Sequence, residues 1–102
     1  MTLPVPLAPP APPSDAVLLE RIAAGEHRAL WELSKRHGAA LREMAFGLVH
    51  DVTTAERAVQ AAFQEVRYQA ARFDPAHFPV LGWLMEVTRT VALERRSVAG
   101  QL

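Results

Sequence analysis

Cysteine is absent from this 102-residue chain, so disulfides, thiolate metal sites and cysteine nucleophiles are excluded. Glycine occurs only five times and never in a cluster, and neither GxxxxGK[ST] nor GxGxxG is present, so a phosphate-cradling loop is not expected. No apolar run approaches the roughly 18 residues that cross a bilayer. The N-terminus also lacks the basic segment of a signal peptide. We therefore expect a cytoplasmic protein that does not contact a membrane.

The charge balance is neutral, with eleven basic and eleven acidic residues. A strongly basic nucleic-acid binder is not indicated by this total, so any contact with DNA has to come from a local patch. Hydrophobic residues make up 50% of the chain and charged residues 22%, which is typical of a globular protein. The length favours one domain with one modest core.

Catalytic and metal-binding patterns are also missing. The four histidines, at positions 27, 37, 50 and 77, include no pair three or four residues apart on one helix. The serines lack the context of a nucleophile elbow, and the carboxylates are scattered. We predict no catalytic residue, metal, cofactor or small-molecule substrate, and an enzyme is the weakest interpretation.

Proline is concentrated at one end, because six of the eight prolines lie in residues 1–14. This composition predicts a disordered Pro/Ala-rich leader with polyproline II character. Such a segment is either a ligand for a proline-binding domain or a plain tail, and the plain tail is favoured.

Helical periodicity covers most of the remaining chain. Ser14 or Asp15 can cap the first helix, Gly25 is a natural stop, and Gly38 permits a break or a bend. Thr53 and Glu56 have the spacing of a capping box, which places the start of the fourth helix at Thr53. The predicted helices span residues 15–24, 26–37, 39–50, 53–72 and 80–96. The sequence thus predicts an all-α compact bundle of about four to five helices at residues 15–97, followed by a frayed tail at 98–102.

The fourth predicted helix has two contrasting faces. Small and apolar residues recur at intervals of four, three, four and four, which predicts a stripe facing the core. That stripe comprises Ala55, Val59, Ala62, Val66 and Ala70. The opposite face carries Arg57, Gln60, Gln64 and Tyr68, and a polar face of this kind is most often simply solvated. Trp31 and Trp83 are predicted to anchor the core.

The order of motifs along the chain is more specific than any single motif. GEHRALWEL at 25–33 precedes an apolar helix that ends in LVHD at 48–51. Ala55-Glu56, Val59-Gln60 and Phe63 are followed by ARFDP at 71–75, and GWL at 82–84 opens a helix that ends in ERR at 94–96. Across residues 15–97 this order resembles region 2 of bacterial extracytoplasmic-function sigma factors, the domain that binds core RNA polymerase and the promoter minus-ten element.

The resemblance implies two binding surfaces. The helix matching residues 53–71 would dock on the coiled coil of the polymerase β′ subunit through Arg57, Gln60, Ala61 and Gln64. The loop at 73–79 would hold a flipped base of single-stranded promoter DNA, and the last helix would lie along that strand. The implied DNA-binding residues are Arg72, Phe73, Asp74, His77, Phe78, Arg89, Thr90, Arg95 and Arg96. The resemblance also implies an anti-sigma factor as a further partner.

Simpler interpretations stand beside these assignments. Arg95 and Arg96 suit a helix C-terminus for dipole reasons alone, a loop histidine such as His77 is usually just exposed, and Phe73 is more often a packing residue than a stacking platform. Tyr68 and Phe78 are further candidates for stacking.

Five positions depart from the family pattern. Arg67 stands where the family has tryptophan or a similar aromatic residue, and Glu94 stands where it has aspartate. The family carries acidic residues where Arg57 and Ala61 stand, and asparagine where Thr90 stands. An arginine facing a basic coiled coil repels it, and threonine lacks the bidentate hydrogen bonding of an amide. These departures favour an alternative, a degenerate sigma-like helical module that binds a protein partner or itself and no longer recognises promoter DNA. We expect either a fragment that lacks the minus-thirty-five-binding domain or a single-domain relative.

Overall fold

A computed structural model describes residues 11–100, with side chains described for residues 11–96. The described part contains four α-helices and one 3-10 turn, and no strand, so the prediction of an all-α helical bundle is confirmed. The elements are α1 (Asp15–Ala23), α2 (His27–Val49), α3 (Val52–Gln69), η1 (Ala70–Arg72) and α4 (Val80–Gly100). The disordered leader predicted at 1–14 and the frayed tail predicted at 98–102 lie partly outside the described residues, at 1–10 and 101–102, whereas residues 98–100 belong to α4.

The first helix begins and ends as its sequence predicts. The Ser14 hydroxyl accepts a hydrogen bond from the backbone N–H of Val17 at 3.2 Å, which satisfies one of the free donors at the helix start. Gly25 follows the last turn with φ +92°, a conformation that glycine adopts without steric cost. The Asp15 carboxylate then contacts Arg36 at 2.9 Å and His37 at 2.8 Å, which ties α1 to the middle of α2.

The second and third predicted helices are one continuous helix, so the break predicted at Gly38 is wrong. A glycine inside a helix is less favourable than alanine by about 1 kcal/mol, which is too little to break a helix whose neighbouring turns are anchored. Leu33 and Leu41, on either side of Gly38, are both fully buried. A Cβ at Gly38 would lie 3.0 Å from a guanidinium nitrogen of Arg42, so the arginine lies against the bare backbone.

The start of α3 is set by Asp51, and the capping box predicted at Thr53 is wrong. The Asp51 carboxylate accepts hydrogen bonds from the backbone N–H of Thr54 at 2.8 Å and from its hydroxyl at 2.6 Å. Thr53 therefore lies inside the first turn. An Asp cap two residues upstream accounts for this shift, because its carboxylate accepts from the backbone N–H of Thr54, which a Thr53 cap would leave unsatisfied.

This cap predicts a pH dependence of stability. The Thr54 hydroxyl, the Thr54 backbone N–H and the charge of Arg57 together hold the pKa of Asp51 below its ordinary value of 3.8. Because the folded-state pKa is the lower one, the stabilisation is present above 3.8 and is lost as the pH falls through the folded-state pKa. We expect Asp51→Ala to lower the melting temperature at pH 7, measured by circular dichroism, and the difference from wild type to shrink in strong acid.

Asp51→Asn is the matched control for this prediction. It keeps an acceptor oxygen and removes the charge, so its melting temperature at pH 7 should lie between those of wild type and Asp51→Ala. A difference between wild type and Asp51→Ala that is the same at neutral and strongly acidic pH would exclude a contribution from the carboxylate charge.

The core lies where α2, α3 and α4 pack against one another, with α1 covering α2 and η1. The predicted inward stripe of α3, from Ala55 to Ala70, is buried throughout. Thr88 is the buried polar residue of this core, and its hydroxyl donates to the Leu84 carbonyl oxygen at 2.7 Å. Short side chains along α3 let its neighbours approach closely, which fixes the opposite face of α3 toward solvent.

Two further predictions are corrected. Trp31 is not a core anchor, because 56% of its surface is exposed and the Lys35 ammonium lies 4.3 Å from its ring centroid. Leu33 holds the core position of this turn, and a residue two places earlier lies about 200° away around the helix. The last helix continues to Gly100, beyond its predicted end at Arg96, because neither proline nor glycine interrupts residues 83–99.

Candidate partner-binding surface

The outward side of α3 forms a ridge of four residues, Arg57, Ala61, Gln64 and Tyr68, which we name the outer ridge. Intervals of four, three and four residues keep these side chains within a narrow sector of the helix. Tyr68 is 79% exposed, Arg57 and Gln64 are exposed, and Ala61 is half-buried. The predicted exposure of Arg57, Gln64 and Tyr68 is confirmed.

A groove of about 910 Å³ runs beside the outer ridge, between α3 and α4. The two helices pack together and are joined by η1 and a short loop, so they run antiparallel. The α4 wall of this α3–α4 groove consists of Trp83, Glu86, Val87, Thr90, Val91, Glu94 and Arg95. Three predicted polymerase contacts, Arg57, Ala61 and Gln64, thus share one groove with two predicted DNA contacts, Thr90 and Arg95.

Gln60 lies apart from this groove. It lines a second groove of about 520 Å³ between α2 and α3, together with Trp31 and Phe63. Gln64 borders both grooves, so the outer ridge stands between them. A ridge flanked by two grooves is a suitable shape for receiving helices of another protein.

The charges in the α3–α4 groove are polarised. Glu65 and Glu86 lie toward the end near the connecting loop, whereas Arg57, Glu94 and Arg95 lie toward the far end, because the helices are antiparallel. Three carboxylates against two guanidinium groups give the groove a formal charge of −1. A groove of this charge does not attract nucleic-acid phosphates, so it suits a protein better than DNA.

The remaining predicted DNA contacts on α4 point elsewhere. Arg89 and Arg96 are exposed and do not line the α3–α4 groove. They are seven residues apart, which places them on one face of the helix. The structure therefore separates Thr90 and Arg95 from Arg89 and Arg96, although all four lie on the same helix.

The loop at 73–79 is organised by its own side chains. Asp74 accepts a hydrogen bond from the backbone N–H of Ala76 at 2.9 Å, and its other carboxylate oxygen lies 2.6 Å from Nδ1 of His77. The Phe73 ring stacks on Trp83 with centroids 4.3 Å apart and meets the Phe78 ring edge-on at 6.5 Å. The loop thus has a fixed turn and an aromatic base.

These contacts decide which loop residues are free to bind. Phe73 is half-buried against Trp83, as the packing interpretation predicts, and one face of its ring is occupied. Asp74 and His77 are both exposed but are engaged with each other, whereas Arg72 is exposed and takes part in no side-chain hydrogen bond or ion pair of the loop. Phe78 is 48% exposed, so it is the loop aromatic with free surface.

Several groove residues were missing from the sequence-based site. Glu65 belongs to the α3 side, and Trp83, Glu86 and Glu94 belong to the α4 side. A sequence signal existed for α4, because Glu86, Thr90 and Glu94 recur every four residues and form one polar stripe. Nothing in that stripe indicates that it faces α3, since this depends on how the two helices pack.

The described residues, 11–100, contain no cluster of three histidine, aspartate or glutamate side chains suited to a metal ion. No helix in this part of the chain has the length and apolar character needed to cross a membrane. Comparison with known proteins identifies no relative, because no protein-family model, no curated protein and no solved structure matches the chain.

Proposed function

We propose that this chain is a sigma-factor region 2-like domain. It binds core RNA polymerase through the outer ridge of α3, with the β′ coiled coil as its partner. The loop at 73–79 and the outer face of α4 hold the unwound minus-ten strand. The domain acts by recognition and supplies no catalytic group.

The observation that carries this proposal is that polar side chains on the outward side of α3 make no polar contact within the domain. Within the described residues, the side chains of Arg57, Gln60 and Gln64 take part in no hydrogen bond or ion pair of the domain itself. The opposite side of the same helix is fully committed to the core. A rigid helix that presents uncommitted polar groups between two grooves is well suited to binding two helices of a coiled coil.

The DNA-binding half of the proposal is supported by the loop and by the outer face of α4. Arg72, Arg89 and Arg96 are exposed cations that can contact phosphates, and His77 is an exposed residue of the loop. Phe78 offers an exposed ring on which a base can stack. These side chains lie outside the α3–α4 groove, so the carboxylates of the groove do not stand between them and the DNA strand.

The alternative, a sigma-like interaction module without promoter recognition, is favoured by the α3–α4 groove. The three carboxylates of the groove repel a phosphate backbone. Arg57 is positively charged at the position where binding to a basic coiled coil would favour a negative charge. Under this alternative the groove receives a protein helix, and single-stranded DNA does not bind.

Capture of the β′ coiled coil tests the proposal. Arg57→Asp replaces repulsion by attraction toward a basic partner, so capture of the immobilised coiled coil should strengthen about three- to tenfold at low salt. The gain should diminish as salt is raised, because surface charges are screened. The measurement is a dissociation constant by surface plasmon resonance at several ionic strengths.

Arg67→Asp is the matched control, since Arg67 is exposed on the same helix but lines neither groove. It makes the same change in net charge and should leave capture within about twofold of wild type. Unchanged or weaker capture by Arg57→Asp, or an equal gain by Arg67→Asp, would count against the assigned docking face.

A further inference from the structure

The outer surface of α3 has charges arranged symmetrically about Ala61. Arg57 lies four residues before Ala61 and Glu65 four residues after it. Thr54 lies seven residues before and Tyr68 seven after. All five line the α3–α4 groove, so they share one side of the helix. The sequence of this side therefore reads basic, small, acidic from the N-terminal to the C-terminal half.

This order is self-complementary when two copies of α3 lie antiparallel and cross at Ala61. Each Arg57 then faces Glu65 of the second copy, and the contact occurs twice because a two-fold axis passes between the helices. Thr54 faces Tyr68 of the second copy in the same way. Reversing the direction of one helix would place arginine against arginine, so the charges select the antiparallel arrangement.

We propose that the chain self-associates through this surface as a two-fold symmetric antiparallel dimer, with α3 of each copy seated in the α3–α4 groove of the other. The charge order and the groove shape of a single copy are sufficient for this arrangement. It stands whether or not the same surface also binds RNA polymerase.

The groove has the shape and chemistry that such a partner helix needs. Ala61 is half-buried with a single methyl group, so two helices crossing there can approach closely. Val87 and Val91 form an apolar floor, and Tyr68 is 79% exposed and available for burial. An incoming Arg57 would meet Glu86 as well as Glu65, because both carboxylates lie at the loop end of the groove.

Neither charged group of the proposed contact is held in an ion pair of its own domain among the described residues. Among residues 11–96, Arg57 takes part in no ion pair, and the contact made by the Glu65 carboxylate is a hydrogen bond from Gln69 at 3.0 Å. The formal net charge of the chain is zero, so two copies approach without long-range repulsion. Exposed ion pairs contribute modestly, so here they set direction and register while the apolar floor supplies the buried area.

Such a dimer would regulate the proposed docking site. It covers Arg57, Ala61 and Gln64, so self-association and capture of the β′ coiled coil would exclude each other. Capture of the β′ coiled coil should therefore be measured at protein concentrations at which sedimentation shows that the chain is a monomer. This keeps the test of docking separate from the test of association.

Charge exchange across the interface is the decisive experiment, carried out on the full chain without any partner. Sedimentation velocity over a concentration series should show a monomer–dimer equilibrium for wild type. Arg57→Glu and Glu65→Arg should each weaken association about tenfold or more, because each creates two like-charge contacts. The double variant carrying both changes should associate more tightly than either single variant, because the pairs form again with exchanged charges. Its recovery should fall short of wild type, because the unchanged Glu86 then faces the new carboxylate at position 57.

Arg67→Glu is the matched control, with the same change of charge on α3 outside the groove, and it should associate like wild type. Circular dichroism should show that every variant keeps its helix content. A wild-type chain that remains monomeric at several hundred micromolar would overturn the proposal. So would single variants that associate normally, or a double variant that fails to recover.

The absence of native cysteine gives a second, independent test. Ala61→Cys places one thiol on each side of the two-fold axis, within the range where a disulfide can form. Mild oxidation should convert most of this variant into a covalent dimer, whereas Arg67→Cys should stay largely monomeric. Equal cross-linking at both positions would place the contact elsewhere and overturn the proposed register.

Discussion

Replacing Leu33 by alanine should remove about 3–5 kcal/mol from the free energy of unfolding. Leu33 is fully buried on α2 within the core of the bundle, so the substitution leaves a cavity that the surrounding helices can fill only in part. Domains of this size are stable by about 5–15 kcal/mol, so the loss is a large fraction of the total. Urea denaturation followed by circular dichroism measures the change, with an unaltered slope if unfolding stays two-state.

Trp31→Ala is the matched comparison, two residues away on the same helix. Its ring is 56% exposed, and its contact with the Lys35 ammonium is a surface cation–π interaction of about 0.5–1 kcal/mol. We expect a loss of about 1 kcal/mol despite the removal of a much larger side chain. If Trp31→Ala were as damaging as Leu33→Ala, Trp31 would be a core residue after all.

These two residues show where sequence periodicity succeeds and where residue type misleads. The inward stripe of α3 follows from spacing alone, because residues three and four apart share a helix face whatever surrounds them. The size of its ring predicts a core position for Trp31. Its position two residues before Leu33 turns it out of the core, so it borders the α2–α3 groove and stays exposed.

A helix boundary could be predicted from the sequence only where a single residue sets it without help from the rest of the fold. Gly25 ends α1 because its positive φ needs no support from elsewhere in the fold. Gly38 lies inside a helix because buried leucines on both sides outweigh its weak propensity, which is a tertiary effect. At the start of α3, Asp51 and Thr53 were both chemically able to cap, and in the folded chain the Asp51 carboxylate takes both hydrogen bonds of Thr54.

The candidate surface was predictable in the same partial way. The outward position of Arg57, Gln60 and Gln64 follows from the helical period. Their division between two grooves depends on how α2 and α4 flank α3, which a linear sequence does not encode locally. Arg89 and Thr90 show the same limit, since neighbouring residues on α4 point about 100° apart and only Thr90 faces the groove.

Phe78→Ala should weaken binding of a single-stranded minus-ten oligonucleotide about tenfold, with little change in stability. A base stacked on an aromatic ring contributes about 1–3 kcal/mol, and Phe78 is the loop ring with free surface. Its ring edge lies against Phe73 and within 3.3 Å of where a Cβ on Gly82 would be, so the ring is held in place without being buried. Fluorescence anisotropy of a labelled oligonucleotide at several salt concentrations measures the affinity.

Phe73→Ala separates binding from folding in the same loop. Its ring stacks on Trp83 at 4.3 Å, so its removal should cost about 2–3 kcal/mol of unfolding free energy and loosen the loop, which would lower DNA affinity indirectly. Phe78→Ala should instead keep the wild-type melting temperature and the wild-type salt slope, because it removes a stacking partner and no phosphate contact. Wild-type affinity in Phe78→Ala would exclude this ring as the stacking platform. If the folded wild-type chain failed to bind the oligonucleotide even at low salt, the loop would have no role in promoter recognition, and the interaction module would be the better description of this domain.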